Sequence, residues 1–131
     1  MRLLLDTHCW LWLVAEPERI RHDVVEMLVA EDNHVHVSTA TAWEIVIKHS
    51  LGKLSLPDPP AEYIPPRMTA LGHRPLPIEQ RHALQVARLP PHHRDPFDRI
   101  LIAQAQVEDI HLVTADRLMA PYDVRLIWAN A

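Results

Sequence analysis

The sequence predicts an α/β fold: a single domain over residues 1–131, in which helices cover both faces of a central, mainly parallel sheet of four to five strands. Short apolar runs typical of buried strands alternate with longer stretches whose apolar residues recur at helical spacing. Such alternation is typical of βαβ units, which build three-layer α/β/α domains. With 131 residues, 48% of them hydrophobic, the chain is long enough for one core and too short for two.

Five short segments predict the strands of this sheet. Three of them are apolar runs of the kind expected for parallel strands that are buried on both faces. These three are residues 2–5, 35–37 and 111–113. A fourth strand is expected at residues 124–127, and a weak fifth lies near residues 74–76.

Four helices are expected from apolar residues spaced three and four positions apart. Their ranges are residues 18–31, 39–49, 78–88 and 96–108. In the second helix Trp43, Val46 and Ile47 form one apolar face, and Glu44 and Lys48 lie on the opposite face. In the middle of the chain, a helix starting near residue 58 and reaching residue 71 is expected to break, or to start late, at its paired prolines.

Composition excludes several classes of protein. Cys9 is the single cysteine, so no internal disulfide can form and a cytoplasmic location is expected. The net charge of −4 argues against broad electrostatic attraction to nucleic acid, although cations held by carboxylates would reverse the local potential. No apolar run is long enough to span a bilayer, and the opening segment MRLLLDTHCWLWLV lacks a small-residue cleavage site. A membrane protein is therefore not expected.

Acidic residues follow the predicted strands at the points where those strands end. Asp6 comes directly after the first strand, and Asp116 follows the strand at residues 111–113. Ser38 also leaves a strand end, and the helix after it carries Glu44. In an open parallel sheet, ligands bind at the carboxyl ends of the strands. These side chains are therefore candidates for one shared site.

Local alternatives exist for most of these acids. Asp6 and Asp116 could each cap a helix or turn. Glu44 could complete a capping box that begins at Thr41, or pair with Lys48 on a solvent-facing surface. Each alternative explains one residue by itself. None of them explains why the acids fall at strand ends and helix starts on one edge of the sheet.

The segment RDPFDRILIAQA places two aspartates at the start of a predicted helix. Asp95 before Pro96 is a strong helix start, with aspartate as the cap and proline as the first helical residue. Asp98 then lies in the first turn, where its charge favours the helix dipole. We expect Asp95 to begin the helix and to support the site, and Asp98, one turn later, to reach a metal ion.

Several carboxylates in one cleft cannot all stay ionised without a counter-charge, because like charges raise one another's pKa. Divalent cations that prefer oxygen ligands resolve this conflict. Magnesium in particular binds carboxylates, water and phosphate oxygens together. An acidic site of this kind is suited to metal-assisted cleavage of phosphodiesters.

Four segments of the chain together resemble the PIN-domain ribonucleases, and most closely the VapC toxins of bacterial toxin–antitoxin pairs. These segments are LLLDTH, VSTATAWEIVIKHSLGKL, LPPHHRDPFDRILIAQA and HLVTAD, and the resemblance runs from Leu3 to about Ile127. It implies an endoribonuclease that uses Mg²⁺, with Mn²⁺ able to substitute. It also implies an RNA substrate, a VapB-type antitoxin that blocks the cleft, and a homodimer.

The resemblance also assigns roles to individual residues. It implies that the four catalytic and metal-binding acids are Asp6, Glu44, Asp98 and Asp116. The small hydroxyl residues that accompany such acids fall on Thr7, Ser38 and Thr114, and these are expected to support the site.

Other readings of the sequence remain open. A catalytically silent PIN-like binding module would keep the fold without the reaction, and a metal-dependent DNA nuclease would act on the other nucleic acid. The histidines and Cys9 fit no paired zinc-binding pattern, and His93 is expected to be a solvated loop residue, although it could orient Asp98. Arg94 and Arg99 could hold phosphates near the acids or belong to an ordinary charged surface.

Overall fold

All five strands run parallel in one sheet. The computed structural model describes all residues, 1–131. Its strands and α-helices are β1 (Arg2–Leu5), α1 (Thr7–Ala15), α2 (His22–Val29), β2 (His34–Ser38), α3 (Thr39–Ser50), α4 (Pro60–Leu71), β3 (Arg74–Leu76), α5 (Gln80–Val86), α6 (Pro96–Glu108), β4 (His111–Thr114) and β5 (Leu126–Trp128). Two 3-10 turns lie at Pro17–Arg19 and Arg117–Met119. None of the helices has the length and hydropathy needed to span a lipid bilayer.

The strand order is β3-β2-β1-β4-β5, with β1 at the centre. The chain builds outward from β1 in one direction through β2 and β3, and in the other direction through β4 and β5. The order therefore reverses between β1 and β4, and ligands of open parallel sheets bind beside such a reversal. The predicted α/β fold with a parallel central sheet is confirmed.

The side chains of β1 supply both sides of the core. Leu3 and Leu5 belong to one buried cluster, and Leu4 belongs to a second cluster on the opposite face of the sheet. All three leucines are fully buried, because the side chains of a strand alternate between the two faces and helices cover both. The three-layer arrangement follows directly from the continuous apolar run LLL.

The helix predicted over residues 18–31 is wrong in its first part. Residues 17–19 form a 3-10 turn, and α2 begins only at His22. The break occurs at Ile20 and Arg21, whose backbone is extended, and Arg21 N–H donates to the carbonyl of Ala129 at 2.7 Å. Ile20 is nevertheless buried, as are Val24 and Leu28 in α2. The apolar spacing thus identified the buried residues but not the interruption between them.

The paired prolines do not break the middle helix, contrary to the prediction. Helix α4 runs through Pro65 and Pro66, and it begins without a side-chain cap from Asp58. Both prolines are exposed, whereas Tyr63 and Ile64 before them are buried. A proline removes the hydrogen bond to the carbonyl four residues earlier, and on the solvent side water can satisfy that carbonyl. Burial of the opposite face stabilises the continuous helix.

The face of α3 that meets the core is also different from the expected one. Its buried residues are Ala40, Thr41, Glu44 and Ile45, while Trp43 is 57% exposed. The cap is Ser38, whose side chain accepts a hydrogen bond from the N–H of Ala40, so the capping box at Thr41 does not form. Glu44 is consequently a buried residue of the interior face and not part of a solvent-facing pair.

Candidate active site

Asp6 lies at the junction of β1 and α1, beside the point where the strand order reverses. Its Oδ1 accepts the N–H of Cys9 at 2.8 Å, so it caps α1, and its Oδ2 accepts the hydroxyl of Thr114 at the end of β4. Asp6 is only 4% exposed. A helix start and a neighbouring strand therefore fix both oxygens of this carboxylate.

His93 links two further acids. Its Nε2 lies 2.7 Å from Oδ2 of Asp116 and 3.1 Å from Oδ2 of Asp98. Nδ1 of the same ring accepts the N–H of Asp95 at 3.2 Å. Because Nδ1 is an acceptor, the proton of the neutral ring lies on Nε2 and is directed at the two carboxylates. The ligand atoms of His93, Asp98 and Asp116 all lie within 4.8 Å of one another.

The start of α6 has the geometry that the sequence predicts. Oδ1 of Asp95 accepts the N–H groups of Phe97 at 2.8 Å and of Asp98 at 3.1 Å. Asp95 is therefore the cap of α6, and Pro96 is its first residue. This cap fixes the first helical turn, and Asp98 in that turn is brought beside Asp116 by their common contact with His93.

Glu44 joins the group from α3. Its Oε1 accepts a hydrogen bond from the hydroxyl of Thr7 at 2.7 Å, and its Oε2 accepts one from the ammonium of Lys48 at 2.5 Å. The hydroxyl of Thr41 lies 3.2 Å from that of Thr7. Thr7 is the neighbour of Asp6 in sequence, so Glu44 is attached to the site through the start of α1.

Burial raises the pKa values of two carboxylates of the site. Burial raises the pKa of Asp98 to about 7, and the negative charges of Asp95, Glu44 and Asp6 add to this effect. Burial also raises the pKa of Asp6 above its ordinary value, although the hydrogen bonds from Thr114 and Cys9 oppose that change. The nearby His93 acts in the opposite direction and lowers the pKa of Asp98.

The same negative charges also affect the pKa of Lys48, whose charged form they stabilise. Burial would lower the pKa of Lys48, but its hydrogen bond to Glu44 and the charges of Glu44, Asp95 and Asp98 outweigh burial and raise that pKa. The ammonium therefore stays charged, and the charges of Asp95 and Asp98 stabilise it in addition to that of Glu44.

An open cleft of about 270 Å³ gives solvent access to the acids. Its lining residues are Asp6, His8, Trp12, Asp98, Ala115 and Asp116. The other predicted residues are placed around this cleft in different ways. Thr7 donates a hydrogen bond to Glu44, and Thr114 donates one to Asp6. The hydroxyl of Ser38 instead donates to Gln104 at 2.6 Å and makes no hydrogen bond to any of the four acids.

The sequence profile of the PIN domain matches residues 3–124 of the chain. The chain belongs to the PIN domain family. The matched region includes β1 from Leu3 onward, all of β2, β3 and β4, and all four predicted acids.

One curated relative of this PIN domain carries a name that describes an activity. It is Ribonuclease VapC16 of Mycobacterium tuberculosis, which is 46% identical to the chain over 50 residues. The matched segment spans 38% of this chain and 36% of that protein.

Solved structures share the fold of this PIN domain over nearly its whole length. One such structure is VapBC2 from Rickettsia felis bound to a DNA fragment from its promoter. One of its chains matches with a TM-score of 0.75 at 12% identity, and the match covers 98% of both chains. A chain of DNA-bound VapBC from Salmonella typhimurium has a TM-score of 0.67 at 17% identity, again covering 98% of each. At these identities the likeness establishes the fold.

The donor set of this PIN domain fits a hard divalent cation. Three carboxylates line one open cleft, and burial holds the pKa of two of them, Asp6 and Asp98, above the ordinary range, with repulsion from neighbouring acids adding to the rise of Asp98. A cation bound among them would relieve that repulsion, and carboxylate oxygens are the ligands that Mg²⁺ and Mn²⁺ prefer. Asp6, Asp98 and Asp116 line this cleft, and His93 lies with Asp98 and Asp116 in one group of close ligand atoms.

Sequence reasoning gave too little weight to two residues of this PIN domain. His93 is 8% exposed and not a solvated loop residue, and its position two residues before the cap of α6 was its only sequence signal. For Lys48, a solvent-facing pair with Glu44 was one of the alternatives, because the i,i+4 spacing predicts the pairing but does not reveal that Glu44 is buried.

Arg99, by contrast, is not available to hold phosphate. Its guanidinium donates to four backbone carbonyls at 3.1 to 3.3 Å, and these belong to Val86, Leu89, Pro90 and His93. Arg99 therefore fixes the loop that carries His93 into the site.

Proposed function

We propose that this PIN domain is a divalent-metal-dependent endoribonuclease that acts as the toxin of a toxin–antitoxin pair. The observation that carries the proposal is the meeting of Asp6, Asp98 and Asp116 in one cleft beside the strand-order reversal, with Glu44 attached through Thr7. Mg²⁺ is the proposed cofactor, and Mn²⁺ is expected to substitute for it because both favour carboxylate oxygens.

We assign each residue of the site a role in binding the cation, in orienting another residue or in positioning water. Asp6, Asp98 and Asp116 would hold the cation, which when bound activates water and neutralises phosphate charge. Thr114 orients Asp6, and His93 orients Asp98 and Asp116 by donating its Nε2–H between them. Glu44 would bind a cation or position the attacking water from the side of α3.

RNA is the proposed substrate because the curated relative with 46% identity over 50 residues is named a ribonuclease. The matched segment covers only part of either protein, so activity on RNA requires a direct test. Phosphodiesters suit the site in chemical terms, since an oxygen-lined cation site binds phosphate oxygens readily.

A VapB-type antitoxin is the proposed protein partner. The solved structures with the same fold include toxin–antitoxin complexes. A groove of about 320 Å³ beside the acidic cleft supports the proposal, because it is lined by apolar side chains that include Leu11, Leu54, Leu56 and Tyr63. The groove and the cleft share His8 and Trp12. A partner segment could thus place apolar residues in the groove and a basic residue among the acids.

A homodimer is also proposed. Exposed apolar surface supports it, since Trp43 is 57% exposed, stacks edge to face on Phe97 and borders an apolar groove of about 300 Å³. Light scattering of the purified protein would give the mass directly. A monomer at micromolar concentration would contradict this part of the proposal.

The experiment that tests the activity uses two neighbouring aspartates with different roles. Asp98→Asn should reduce cleavage of single-stranded RNA in Mn²⁺ by more than about 100-fold, since loss of a mere supporting partner of a metal ligand already costs 10- to 100-fold. Asp95→Asn is the matched control, because asparagine is an equally good helix cap. EDTA should stop cleavage by the wild-type protein, and added Mn²⁺ should restore it.

Three outcomes would contradict the proposal. Full cleavage by Asp98→Asn and Asp6→Asn would remove the assigned site. Cleavage of single-stranded DNA in preference to RNA would indicate a DNA nuclease. An absence of cleavage together with no Mn²⁺ binding by calorimetry would indicate a binding module without catalysis.

A further inference from the structure

Lys48 is the one lysine or arginine of the chain that forms an ion pair with any of the four acids. It lies one turn after Glu44 on α3, and its ammonium is 2.5 Å from Oε2 of Glu44. The side chain of Glu44 is 3% exposed and that of Lys48 is 35% exposed. The pair therefore reaches from the interior of the site to its solvent-facing edge.

Each oxygen of the Glu44 carboxylate has one hydrogen-bond donor in this arrangement. One of its carboxylate oxygens accepts from Thr7 and the other from Lys48. A buried carboxylate that already has two donors holds the ammonium in a fixed place, because breaking the pair would leave an uncompensated buried charge. Glu44 thus acts on Lys48 as a positioning residue.

The ammonium has donors to spare. A lysine carries three N–H groups, and Glu44 accepts the single hydrogen bond that Lys48 makes to another side chain. The side chain of Lys48 is 35% exposed, and the charges of Asp95 and Asp98 act on its ammonium in addition to that of Glu44. Among the residues lining the cleft there is no lysine or arginine.

The negative charge of the site means that such a group would assist the binding of a nucleic-acid substrate. Four carboxylates and one divalent cation leave an excess of negative charge, and a phosphodiester adds one more. The phosphate and the carboxylates carry like charges, which repel strongly in a partly buried cleft. A fixed ammonium at the edge offsets one of these charges and offers hydrogen bonds to phosphate oxygens.

We propose that Lys48 is a phosphate-binding residue of the site, held in place by Glu44, and that it contacts a backbone phosphate of the bound RNA strand. The proposal rests on the function proposed above. It assigns Lys48 a role toward the substrate, separate from the role of the aspartates toward the cation.

The test compares the two lysines of the chain. Lys48→Gln removes the charge but keeps a donor for Glu44, and Lys48→Arg keeps the charge. Lys53→Gln is the matched control, because Lys53 is exposed and forms no ion pair. Thermal melts of all three variants would establish that each one is folded.

The first measurement is binding of a short single-stranded RNA in EDTA, followed by fluorescence anisotropy over a range of salt concentrations. Removing one phosphate contact should reduce the slope of log affinity against log salt by about 0.7 for a single strand. We expect this reduction for Lys48→Gln and not for Lys53→Gln, and we expect Lys48→Arg to retain the wild-type slope.

The second measurement is cleavage in Mn²⁺ together with Mn²⁺ binding by calorimetry. We expect kcat/KM of Lys48→Gln to fall by about tenfold or more, in line with the loss of one charge-assisted contact. Mn²⁺ affinity should be unchanged or higher, because a positive charge has left the acidic site.

Two results would overturn the proposal. Equal salt slopes for Lys48→Gln and Lys53→Gln would show that Lys48 touches no phosphate. A tenfold loss of Mn²⁺ affinity in Lys48→Gln would show that Lys48 acts through the cation site. A wild-type protein that binds RNA with the full slope but does not cleave it would instead defeat the proposed function alone.

Discussion

The hydroxyl of Thr114 donates a hydrogen bond to Oδ2 of Asp6, joining two residues 108 positions apart in the sequence. Thr114 is the last residue of β4, and Asp6 follows β1, so the bond crosses between two neighbouring strands at their carboxyl ends. The same hydroxyl oxygen accepts the N–H of Asp116 at 3.0 Å. One small side chain thus ties together two of the acids proposed to hold the cation.

Replacement of Thr114 should therefore affect stability even without metal. Thr114→Val keeps the shape of the side chain but leaves the buried carboxylate of Asp6 without this donor. We expect a loss of about 2 kcal/mol in the free energy of unfolding, as is typical of hydrogen bonds to charged groups. Urea denaturation in EDTA would measure it, with Thr114→Ser as the variant that retains the hydroxyl. Equal stability of the valine and serine variants would contradict the prediction.

The stability of the metal-free protein should depend on pH through Asp98. The pKa of this carboxyl rises on folding from 3.8 to about 7. Its protonated form stabilises the folded state fully below the unfolded pKa, and this contribution is lost as pH rises through the folded pKa. Asp98→Asn lacks the titrating group. In EDTA we expect the variant to gain stability relative to wild type as the pH rises from about 4 to about 7.

Urea denaturation of both proteins at several pH values in that range would test this expectation. A constant difference in unfolding free energy between wild type and Asp98→Asn would contradict it. Asp95→Asn provides a comparison, since it keeps the cap of α6 and leaves Asp98 in place to titrate, but removes a charge that raises the pKa of Asp98. The pH dependence should therefore persist in this variant and move to lower pH.

His93 should control metal affinity without being required for the fold. Its Nε2–H is shared between Asp98 and Asp116 and sets their relative position. His93→Phe removes the donor and keeps most of the volume, and we expect Mn²⁺ affinity to fall by about 10- to 100-fold, as for other residues that orient metal ligands. His93→Gln, which keeps an N–H donor, should lose less. Calorimetry would measure the affinity. Tighter Mn²⁺ binding by His93→Phe would contradict the prediction and would indicate that the imidazole blocks the cation.

Arg99 should matter for stability more than for substrate binding. Its guanidinium satisfies four carbonyls of the segment from Val86 to His93. An ammonium cannot reproduce that planar set of donors, so Arg99→Lys should lower the free energy of unfolding by about 2 kcal/mol. Its salt dependence of RNA binding should match that of wild type. A variant with normal stability and a reduced salt slope would identify Arg99 as a phosphate contact instead.

Much of the fold follows from local sequence signals. The strands lie within two residues of their predicted positions, and α6 begins and ends where Asp95, Pro96 and the apolar spacing predicted. Helix α4 was mispredicted because proline rules describe the backbone of the helix alone. They do not include the burial of Tyr63 and Ile64, which outweighs the lost hydrogen bonds on the exposed side.

The candidate site divides in the same way. The positions of Asp6 and Asp116 at strand ends could be predicted, since a parallel sheet brings those ends to one edge. The burial of Glu44 could not, because α3 has apolar residues on two sides and local spacing cannot tell which side meets the core. The placement of His93 depends on a loop that is held by Arg99, a contact invisible in the order of residues.

The sequence by itself determined the alternation of strands and helices, the helix caps and the residues able to bind a hard cation. These properties depend on neighbours a few positions apart, where backbone geometry and side-chain chemistry leave few alternatives. Only the tertiary structure decided which carboxylates affect one another's pKa, which face of α3 is buried, and that Lys48 pairs with a buried Glu44. Those outcomes depend on packing between segments far apart in the chain, where burial changes both the pKa of a group and its available partners.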